Sequence, residues 1–567
     1  MTRNGTVDAS DRQPRLAPLR LRVKPDAAPE IKIHTLSRPA FFPQELSMSI
    51  RRSIRVSRVC VRVRPTILVA ALACGAVVSG CAVGPDYARP SVAMPATFKE
   101  AAPGWKVAEP ADRHDRGDWW RVFDDDTLDR LEAKVDVSNQ TIAGYEAAYR
   151  QSHALVDEAR AAYFPTISVS AGGTRSGTAR SSLASSGAVT SSGVSNTFSL
   201  EGDATWELDV WGKVRREVAS EKAGQQAAAA DIANARLSAQ ATLAQDYFQL
   251  RALDATQKLL DDTVAAYQKS LELTQNRYAQ GVAARSDVLQ AQTQLQSAQS
   301  SAVNNGIARA QYEHAIAVLV GEPASTFSIP VMPLAAEPPA IPAQLPTALL
   351  ERRPDIAAAE RRAAAANEQI GVAIAAYFPS ISLSATGGYQ SSLLGSLVSA
   401  PSRFWTLGPQ LAETVFDAGL RGAQTDAARA AYDQQVANYR QAVLAAFQDV
   451  EDNLVSLRVL EQQIVIQRAA VDSAREALAI VTNQYKAGTS TYLDVITSQT
   501  AAYQAEQTLA NISGQRMVSA VGLVKSLGGG WNTSRMDDPE AKAADGSAAP
   551  APGDTPTDAP DAAASSS

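Results

Sequence analysis

One block of this sequence occurs twice. Asn276-Arg277-Tyr278-Ala279-Gln280-Gly281, followed by Asp287-Val288 and Gln292-Thr293, returns 207 residues later as Asn483-Gln484-Tyr485-Lys486-Ala487-Gly488, followed by Asp494-Val495 and Gln499-Thr500. A second block, Ala161-Ala162-Tyr163-Phe164-Pro165-Thr166-Ile167-Ser168, returns 214 residues later as Ala375-Ala376-Tyr377-Phe378-Pro379-Ser380-Ile381-Ser382. The difference in spacing fits one loop, the Ser/Gly/Thr run from Ser176 to Ser195, that is longer in the first copy. A period of this length is not a stacked solenoid repeat. It is a duplicated half-molecule, so the 567 residues form two copies of one pattern rather than a string of unrelated domains.

Each copy contains strand-like alternation. Phe198, Leu200, Gly202, Ala204, Trp206 and Leu208 alternate with Ser199, Glu201, Asp203, Thr205, Glu207 and Asp209. This period of two puts apolar groups on one face and a dense set of charges on the other. Ile167, Val169 and Ala171 alternate with Thr166, Ser168 and Ser170; Ile381, Leu383 and Ala385, then Trp405, Leu407 and Leu411, repeat the pair in the second half. The lengths suit tilted membrane-crossing strands of about 9–11 residues. Four strands cannot close a barrel, which needs about eight. An open edge in lipid would leave its N–H and C=O groups unsatisfied. Strands of this kind in a membrane must therefore be pooled by several copies of the chain.

The rest of each half reads as helix. No proline occurs from Thr166 to Glu322 or from Gln410 to Asp538, so long uninterrupted helices are allowed. Leu250, Leu253, Gln257, Leu260, Val264, Tyr267, Leu271, Thr274 and Tyr278 keep a 3,4 spacing, and Leu457, Leu460, Ile464, Gln467, Val471, Ala474, Leu478, Val481 and Tyr485 match them. Such a sustained heptad seam predicts a coiled coil, with one Gln per seam to set register. A helix from Lys213 to Gln280 would be about 100 Å long at roughly 1.5 Å per residue. Gly281 and Gly488 suit the left-handed position that ends a helix. Ser286 and Ser490 suit the N-cap of the returning helix. Each half is thus expected to carry a long antiparallel helical hairpin with its tip near Gly281 or Gly488. The composition, rich in Ala and Gln and poor in aromatics, fits long helices.

The N-terminal region carries an address. Arg51, Arg52, Arg55, Arg58, Arg62 and Arg64 form a basic stretch, Ile67 to Val78 a short apolar stretch, and Val78-Ser79-Gly80-Cys81 closes it. The apolar stretch is too short for a stable span, and the order matches a secretory signal. The end resembles a bacterial lipobox, in which Cys81 is acylated and becomes the mature N-terminus. Cys60 and Cys74 fall inside the signal, so a single cysteine remains and no disulfide framework is possible. One acylated cysteine gives only a partial hold on a membrane.

Four further signatures occur in order: Cys81-Ala82-Val83-Gly84-Pro85-Asp86-Tyr87 with Pro90; Trp119-Trp120 with Phe123, Asp125 and Leu128; Trp206-Glu207-Leu208-Asp209-Val210-Trp211-Gly212-Lys213; and Leu350-Glu351-Arg352-Arg353-Pro354-Asp355-Ile356 with Ala359-Glu360-Arg361 and Ile370-Gly371. Together they resemble the outer membrane factors of tripartite efflux systems, the TolC/OprM/NodT family, on its lipoprotein side, over roughly residues 81 to 530. The resemblance implies a mainly α fold with membrane β. Duplicated half-molecules would form long antiparallel helical hairpins lining a periplasmic tunnel, and four strands per chain would enter a trimeric twelve-stranded outer-membrane barrel. It implies N-palmitoyl and S-diacylglycerol groups on Cys81 and no other cofactor. The implied partners are two further copies of the chain, a periplasmic membrane-fusion adaptor, an inner-membrane pump of the resistance-nodulation-division type, and outer-membrane lipid. Ala82, rather than Asp, after the cysteine fits outer-membrane sorting.

The same resemblance assigns a periplasmic aperture to Asp494, Tyr485 and Thr497, and adaptor docking to the tips at Gly281, Ser286, Asp287, Gly488 and Ser490. Three copies of Asp494 would make a carboxylate ring that attracts cations and resists closure. An Asp in a first helical turn is equally explained by the helix dipole, and Asp287 needs no other role. Thr497 stands where a second aperture Asp is found in TolC-like chains, and Ser490 where they carry an Arg that holds the tip closed. Closure here falls to other contacts, with Tyr485, Arg277 and Arg285 as candidates, although exposed Arg residues usually contribute little. Trp206 and Trp211 read either as membrane-interface aromatics or as packing at a strand–helix junction. Glu351, Arg352, Arg353 and Asp355 read as ion pairs bracing a helix start, with Pro354 tolerated in its first turn.

The chain divides into a non-native extension (1–47, with Met48 as the expected start), a lipoprotein signal (48–80), an anchor and extended linker (81–125), two repeats (126–330 and 331–530) and a tail (531–567) too poor in apolar groups to fold. The leading function is a passive exit duct for drugs or other small toxic compounds. Type I protein secretion is the second transport reading, and a non-conducting envelope lipoprotein the reading from another class. The formal net charge of −6 gives no electrostatic support to nucleic-acid binding. His34, His114, His153 and His314 are isolated, so no metal site is expected. No catalytic or cofactor-binding constellation is recognisable.

Overall fold

The computed structural model describes residues 82–92, 95, 97–100, 118–177, 193–334, 337–339 and 352–529. Cys81, the signal, Glu351, the linker at 101–117 and the tail lie outside the described residues. The first half comprises α1 (Asp126–Ser138), α2 (Gln140–Ala161), β1 (Thr166–Gly177), β2 (Val194–Glu207), α3 (Lys213–Ala279) and α4 (Arg285–Leu319). The second comprises α5 (Pro354–Ala375), β3 (Ser380–Ser391), β4 (Arg403–Ala412), α6 (Leu420–Ala487) and α7 (Tyr492–Ser526). The duplication is therefore helix, two strands, long helix, returning helix, twice over, and α1 has no counterpart among the described residues.

The strands form one antiparallel sheet in the order β1-β2-β3-β4. Its register puts Ala204 opposite Ile167 and Ala385, and Leu200 opposite Ala171 and Tyr389. Trp405, Leu407, Pro409 and Leu411 fall on that same face through their pairing with Gly387, Ala385, Leu383 and Ile381. The other face carries Glu201, Asp203 and Glu207 with Ser168, Ser170, Ser382, Ser384 and Thr386. Thr386 Oγ1 donates to Asp203 across it at 2.8 Å. The apolar face is exposed in the single chain: Val169 is 77%, Trp405 76% and Leu411 66% accessible. A soluble sheet would bury such a face; a lipid-facing one need not.

Both long helices start at the base of the sheet. Gly212 and Gly419 precede them at φ 82° and 92°. Neither glycine offers a side chain to cap the free N–H groups, so a nearby aspartate does. Asp209 accepts from Val214 N and Arg215 N, both at 3.0 Å, and Asp417 accepts from Gly419 N at 2.9 Å. The two helices run 67 and 68 residues, about 100 Å at roughly 1.5 Å per residue. Among the described residues no helix is long and apolar enough to cross a membrane.

The seam behaves as its spacing predicts, with one correction. Leu250, Leu260, Tyr267, Leu271 and Thr274 are buried, as are Ile464, Val471 and Tyr485. Tyr278, in the last turn of α3, is 48% exposed, whereas its equivalent Tyr485, in the last turn of α6, is 4% exposed. Each seam Gln reaches the returning helix of its own hairpin: Asn305 Nδ2 donates to Gln257 Oε1 at 3.0 Å, and Gln467 Nε2 donates to Ala505 O at 2.9 Å.

The main core lies midway along the helices. Trp119, Trp120 and Phe123 pack with α1 against Leu243, Tyr247, Phe248 and Leu250 of α3 and Met517 and Val521 of α7. Fully burying an aliphatic or Phe side chain of this kind contributes roughly 1.5–3 kcal/mol. Beside this core the segment leaving the first half is held by charge. Asp254, fully buried, accepts from Arg309 Nε at 2.7 Å, Met332 N at 2.9 Å and Arg251 Nη1 at 3.3 Å. The start of the second half is braced as expected, with Arg353 bidentate on Asp355 at 3.0 and 2.7 Å and bonded to Asp449 at 3.1 Å.

Candidate functional site

Two places in this fold are set up to meet other molecules: the hairpin tips and the base of the sheet. At the first tip Gly281 (φ 74°) ends α3, with Gly281 N bonded to Tyr278 O at 2.9 Å and Val282 N to Arg277 O at 2.9 Å. At the second, Gly488 (φ 79°) repeats this with Tyr485 O at 3.0 Å and Thr489 N on Gln484 O at 2.9 Å. This is the Schellman closure, which needs a residue in the left-handed region and so favours glycine.

The caps of the returning helices differ from the sequence expectation. Ala284, not Ser286, is the N-cap of α4, and it offers no side-chain bond. Ser286 already lies in the first turn, its hydroxyl 3.3 Å from Asp287 Oδ1. On α7 the cap is Thr491, not Ser490, and it forms a full capping box with Asp494. Asp494 Oδ2 accepts from Thr491 Oγ1 at 2.7 Å, Ser490 Oγ at 2.9 Å and Thr491 N at 3.0 Å. The Thr491 hydroxyl and backbone N–H, then the Ser490 hydroxyl, hold the Asp494 carboxyl below the usual carboxylate range. The spacing Thr491-x-x-Asp494 was the available signal, since a carboxylate three residues after a hydroxyl cap can bond back to it. Asp494 is exposed and so stays charged at neutral pH. Thr497, one turn on, is also exposed, and its hydroxyl is committed to Leu493 O at 2.9 Å.

Tyr485 points the other way. Only 4% exposed, it packs with Tyr267, Leu271, Ala291, Leu295, Tyr492 and Val495 where the two hairpins meet. Its ring lies 5.4 Å from that of Tyr492. Arg277, read from sequence chiefly as a solvated residue, crosses from the first tip to the second: its guanidinium sits 4.7 Å over the Tyr485 ring and donates to Lys486 O at 3.1 Å. No sequence pattern marks this contact, because Arg277 and Tyr485 belong to different copies of the repeat. Between the tips lies a cleft of about 330 Å³ lined by Arg277, Asp287, Gln290, Tyr485, Ser490 and Thr491. Gly281, Ser286, Asp287, Gly488 and Ser490 thus cluster at one end of the molecule, with Asp494 and Thr497 exposed on the same helix face beside them.

At the other end, the segment after Cys81 is strapped to the helices. Val83 N donates to Trp211 O at 3.1 Å, and Asn367 Nδ2 donates to Pro85 O at 3.0 Å. Arg216, side chain 9% exposed, bridges Glu368 at 2.8 Å and Asp86 at 3.0 Å. Tyr87 Oη donates to Glu360 Oε1 at 2.6 Å, and burial foremost pushes its pKa up. Trp206 Nε1 donates to Tyr163 O at 3.0 Å and Trp211 Nε1 to Pro379 O at 2.8 Å, so both tryptophans lock the strand–helix junction.

Comparison with known proteins gives one answer throughout. The family model described as outer membrane efflux protein matches residues 134–322 and 345–529. The chain is 30% identical over 467 residues to the toluene efflux pump outer membrane protein TtgC of Pseudomonas putida, covering 80% of this chain and 94% of that protein. It is 28% identical over 464 residues to the cation efflux system protein CusC of Escherichia coli, covering 80% and 96%. Among solved structures, the outer-membrane channel OprN superposes with a TM-score of 0.73 at 29% identity, over 80% of this chain and 100% of that one.

Proposed function

The chain belongs to the outer membrane efflux protein family and is an outer-membrane exit duct of tripartite efflux with a periplasmic tunnel, and we propose that it works as a lipid-anchored homotrimer fed by a resistance-nodulation-division pump through a membrane-fusion adaptor. The observation that carries this is the sheet: among the described residues, four strands with both edges unpaired and an apolar face left exposed, joined directly to two helices of about 100 Å. A sheet with open edges cannot stand in lipid alone, and pooling the strands of three chains yields a barrel wide enough for a passage. The charged face of β2 then lines the lumen, and the helices continue the wall into the periplasm.

Lipidation of Cys81 is supported by the strap. Ala82 packs against Gly212 so closely that a Cβ on Gly212 would come within 2.9 Å of it. Acyl chains on the preceding residue would emerge at the base of the sheet, where the bilayer ends. The tips are the natural seat for the adaptor, since they present a cleft with polar lining at the far end of the hairpins. Three copies of Asp494 would ring the aperture with fixed negative charge. The relatives named for toluene and for cations are almost equally similar to this chain, which supports a duct without a chemical pocket and a cargo chosen by the pump.

Dye retention tests the reading. A host lacking its own exit ducts, carrying the cognate adaptor and pump, should retain less dye and tolerate more drug when this chain is added. Unchanged retention, with the protein in the outer membrane and the pump complex expressed, would overturn small-molecule efflux by that pump set.

A further inference from the structure

The four strands sort their charges by sign. Their charged residues are Arg175, Glu201, Asp203, Glu207 and Arg403. The three carboxylates fall on the polar face. Arg175 pairs with Asn196 and Arg403 with Tyr389, and alternation from Ala171 and Trp405 puts both arginines on the apolar, lipid-facing side. Both are exposed, and neither guanidinium has a partner among the described residues. A charge on the lipid side of a barrel is costly at mid-bilayer and nearly free only at the interface.

The register gives their height. All helices leave the sheet from one end, so the hairpin ends of the strands, near Gly177 and Ser391, face the outer leaflet. Followed across the sheet, the row through Trp405 on β4 passes Gly387 on β3, Gly202 on β2 and Val169 on β1. On the apolar face, Tyr389 stands two residues outward of that row (389 − 387), Phe198 four (202 − 198) and Arg175 six (175 − 169). The aromatics thus climb from β4 toward β1, as an interface girdle does on tilted strands. At a tilt of about 35–45°, a level line climbs roughly one to one and a half residues per strand. Arg175, three strands from β4, then lies roughly two residues outward of the level of Trp405. Arg403 lies two residues outward of it as well (405 − 403). Both guanidiniums therefore stand just beyond the aromatics, at headgroup height in the outer leaflet.

We propose that Arg175 and Arg403 bind the phosphates of a phosphorylated glycolipid of the lipid A type in the outer leaflet. The site rests on the lipid-facing reading of the sheet and names the lipid it meets. A guanidinium is always charged, and its planar fork matches a phosphate bidentately. Each arginine also has a neutral donor directly across the ladder on the same face, Asn196 beside Arg175 and Tyr389 beside Arg403. Such opposed residues have Cβ atoms about 4.5–5.5 Å apart, so the amide or the phenol can share a phosphate with the guanidinium. Among the four strands no carboxylate shares this face to repel the anion. Beneath the arginines, exposed Trp405 and Leu407 offer apolar ground for acyl chains. The opposite, helix-bearing end of the strands carries no arginine or lysine, so the arrangement suits the outer leaflet and not the inner.

Lipid binding to the full chain, purified in a phosphate-free neutral detergent and stripped of native lipid, tests the site. The probes are bisphosphorylated lipid A, the same lipid A with its phosphates removed, phosphatidylglycerol, and inorganic phosphate as a competitor, with bound lipid counted by native mass spectrometry. The unmodified protein should hold bisphosphorylated lipid A at least about tenfold more tightly than the dephosphorylated form, as charge-assisted contacts to phosphate require. Arg175→Gln and Arg403→Gln should each weaken bisphosphorylated lipid A about tenfold and leave the dephosphorylated form unchanged. Arg468→Gln, which removes the same charge from an exposed pair with Glu337 far down α6, should change neither. Equal binding of the two lipid A forms, or loss of the preference in Arg468→Gln as well, would overturn the site. Phosphatidylglycerol bound as tightly as lipid A would overturn the glycolipid assignment, and displacement of lipid A by inorganic phosphate would reduce the site to one for a free anion. If the protein meets one of these outcomes yet fractionates with the outer membrane, the lipid-facing barrel stands and only the site falls; if it does not fractionate there, the barrel reading falls first.

Discussion

Asp254 is where the tertiary structure makes its strongest energetic claim. Its carboxylate is fully buried and faces two guanidiniums, Arg251 with a side chain 3% exposed and Arg309 17% exposed. Asp254→Ala removes three hydrogen bonds and leaves Arg251, among the described residues, with Pro330 O, at 2.7 Å, and the face of Tyr247, at 4.6 Å. Arg309 retains Glu313 and Ile329 O, so its loss is smaller. Removing one partner of a buried ion pair costs about 3–5 kcal/mol, because the remaining charge is stranded without water. The cost should appear where the network acts, in the segment around 329–334 that leaves the first half. Leu334 N is the cleanest reporter: it donates to Arg251 O at 3.1 Å and does not touch Asp254. A loss of 3 kcal/mol predicts roughly a hundredfold or greater rise in its hydrogen-exchange rate. Asp262→Ala, which breaks only the exposed pair with Lys258, should change the same amide by less than about threefold. If Leu334 exchanges in Asp254→Ala as it does in the unmodified protein, the buried charges are not what holds this segment.

Three further outcomes follow from particular residues. Glu132 is fully buried with neither carboxylate oxygen hydrogen-bonded, and burial, then Asp136 and Asp129, push its pKa well above 4.5. A raised native pKa makes its contribution most favourable below 4.5 and progressively lost as pH rises through the native value, so Glu132→Leu should raise the melting temperature at neutral pH and flatten its fall from acid pH. Gly84, at φ 104°, leaves room for no side chain, since a Cβ there would come within 2.6 Å of Gly371 Cα. Gly84→Ala should loosen the strap by at least about 1–2 kcal/mol, seen as roughly 5–30-fold faster hydrogen exchange at Val83, whose N–H donates to Trp211 O. Asp494→Asn should lower the cation preference of single channels in bilayers with little change in folding, and in the unmodified protein that preference should hold at pH values above 3.8 and decline only as pH falls through the lowered native pKa.

The sequence by itself determined the plan: two copies, long hairpins ending at Gly281 and Gly488, and strands whose charged and apolar faces alternate. Those features rest on period, proline placement and glycine conformation, which act within a few residues of chain and so are legible in one dimension. Ser286 and Ser490 were misplaced as caps by two and one positions respectively, because hydroxyl residues crowd both tips and only the backbone path decides which one precedes the first turn. The 3,4 spacing had already put Tyr485 in the seam, but tertiary structure alone decided that Arg277 crosses to cover it and that Arg216, Asp86 and Glu368 gather around the strap. Each of these joins residues more than a hundred positions apart. Such contacts depend on where rigid helices some 100 Å long come to lie against one another, and no local pattern of side chains encodes that.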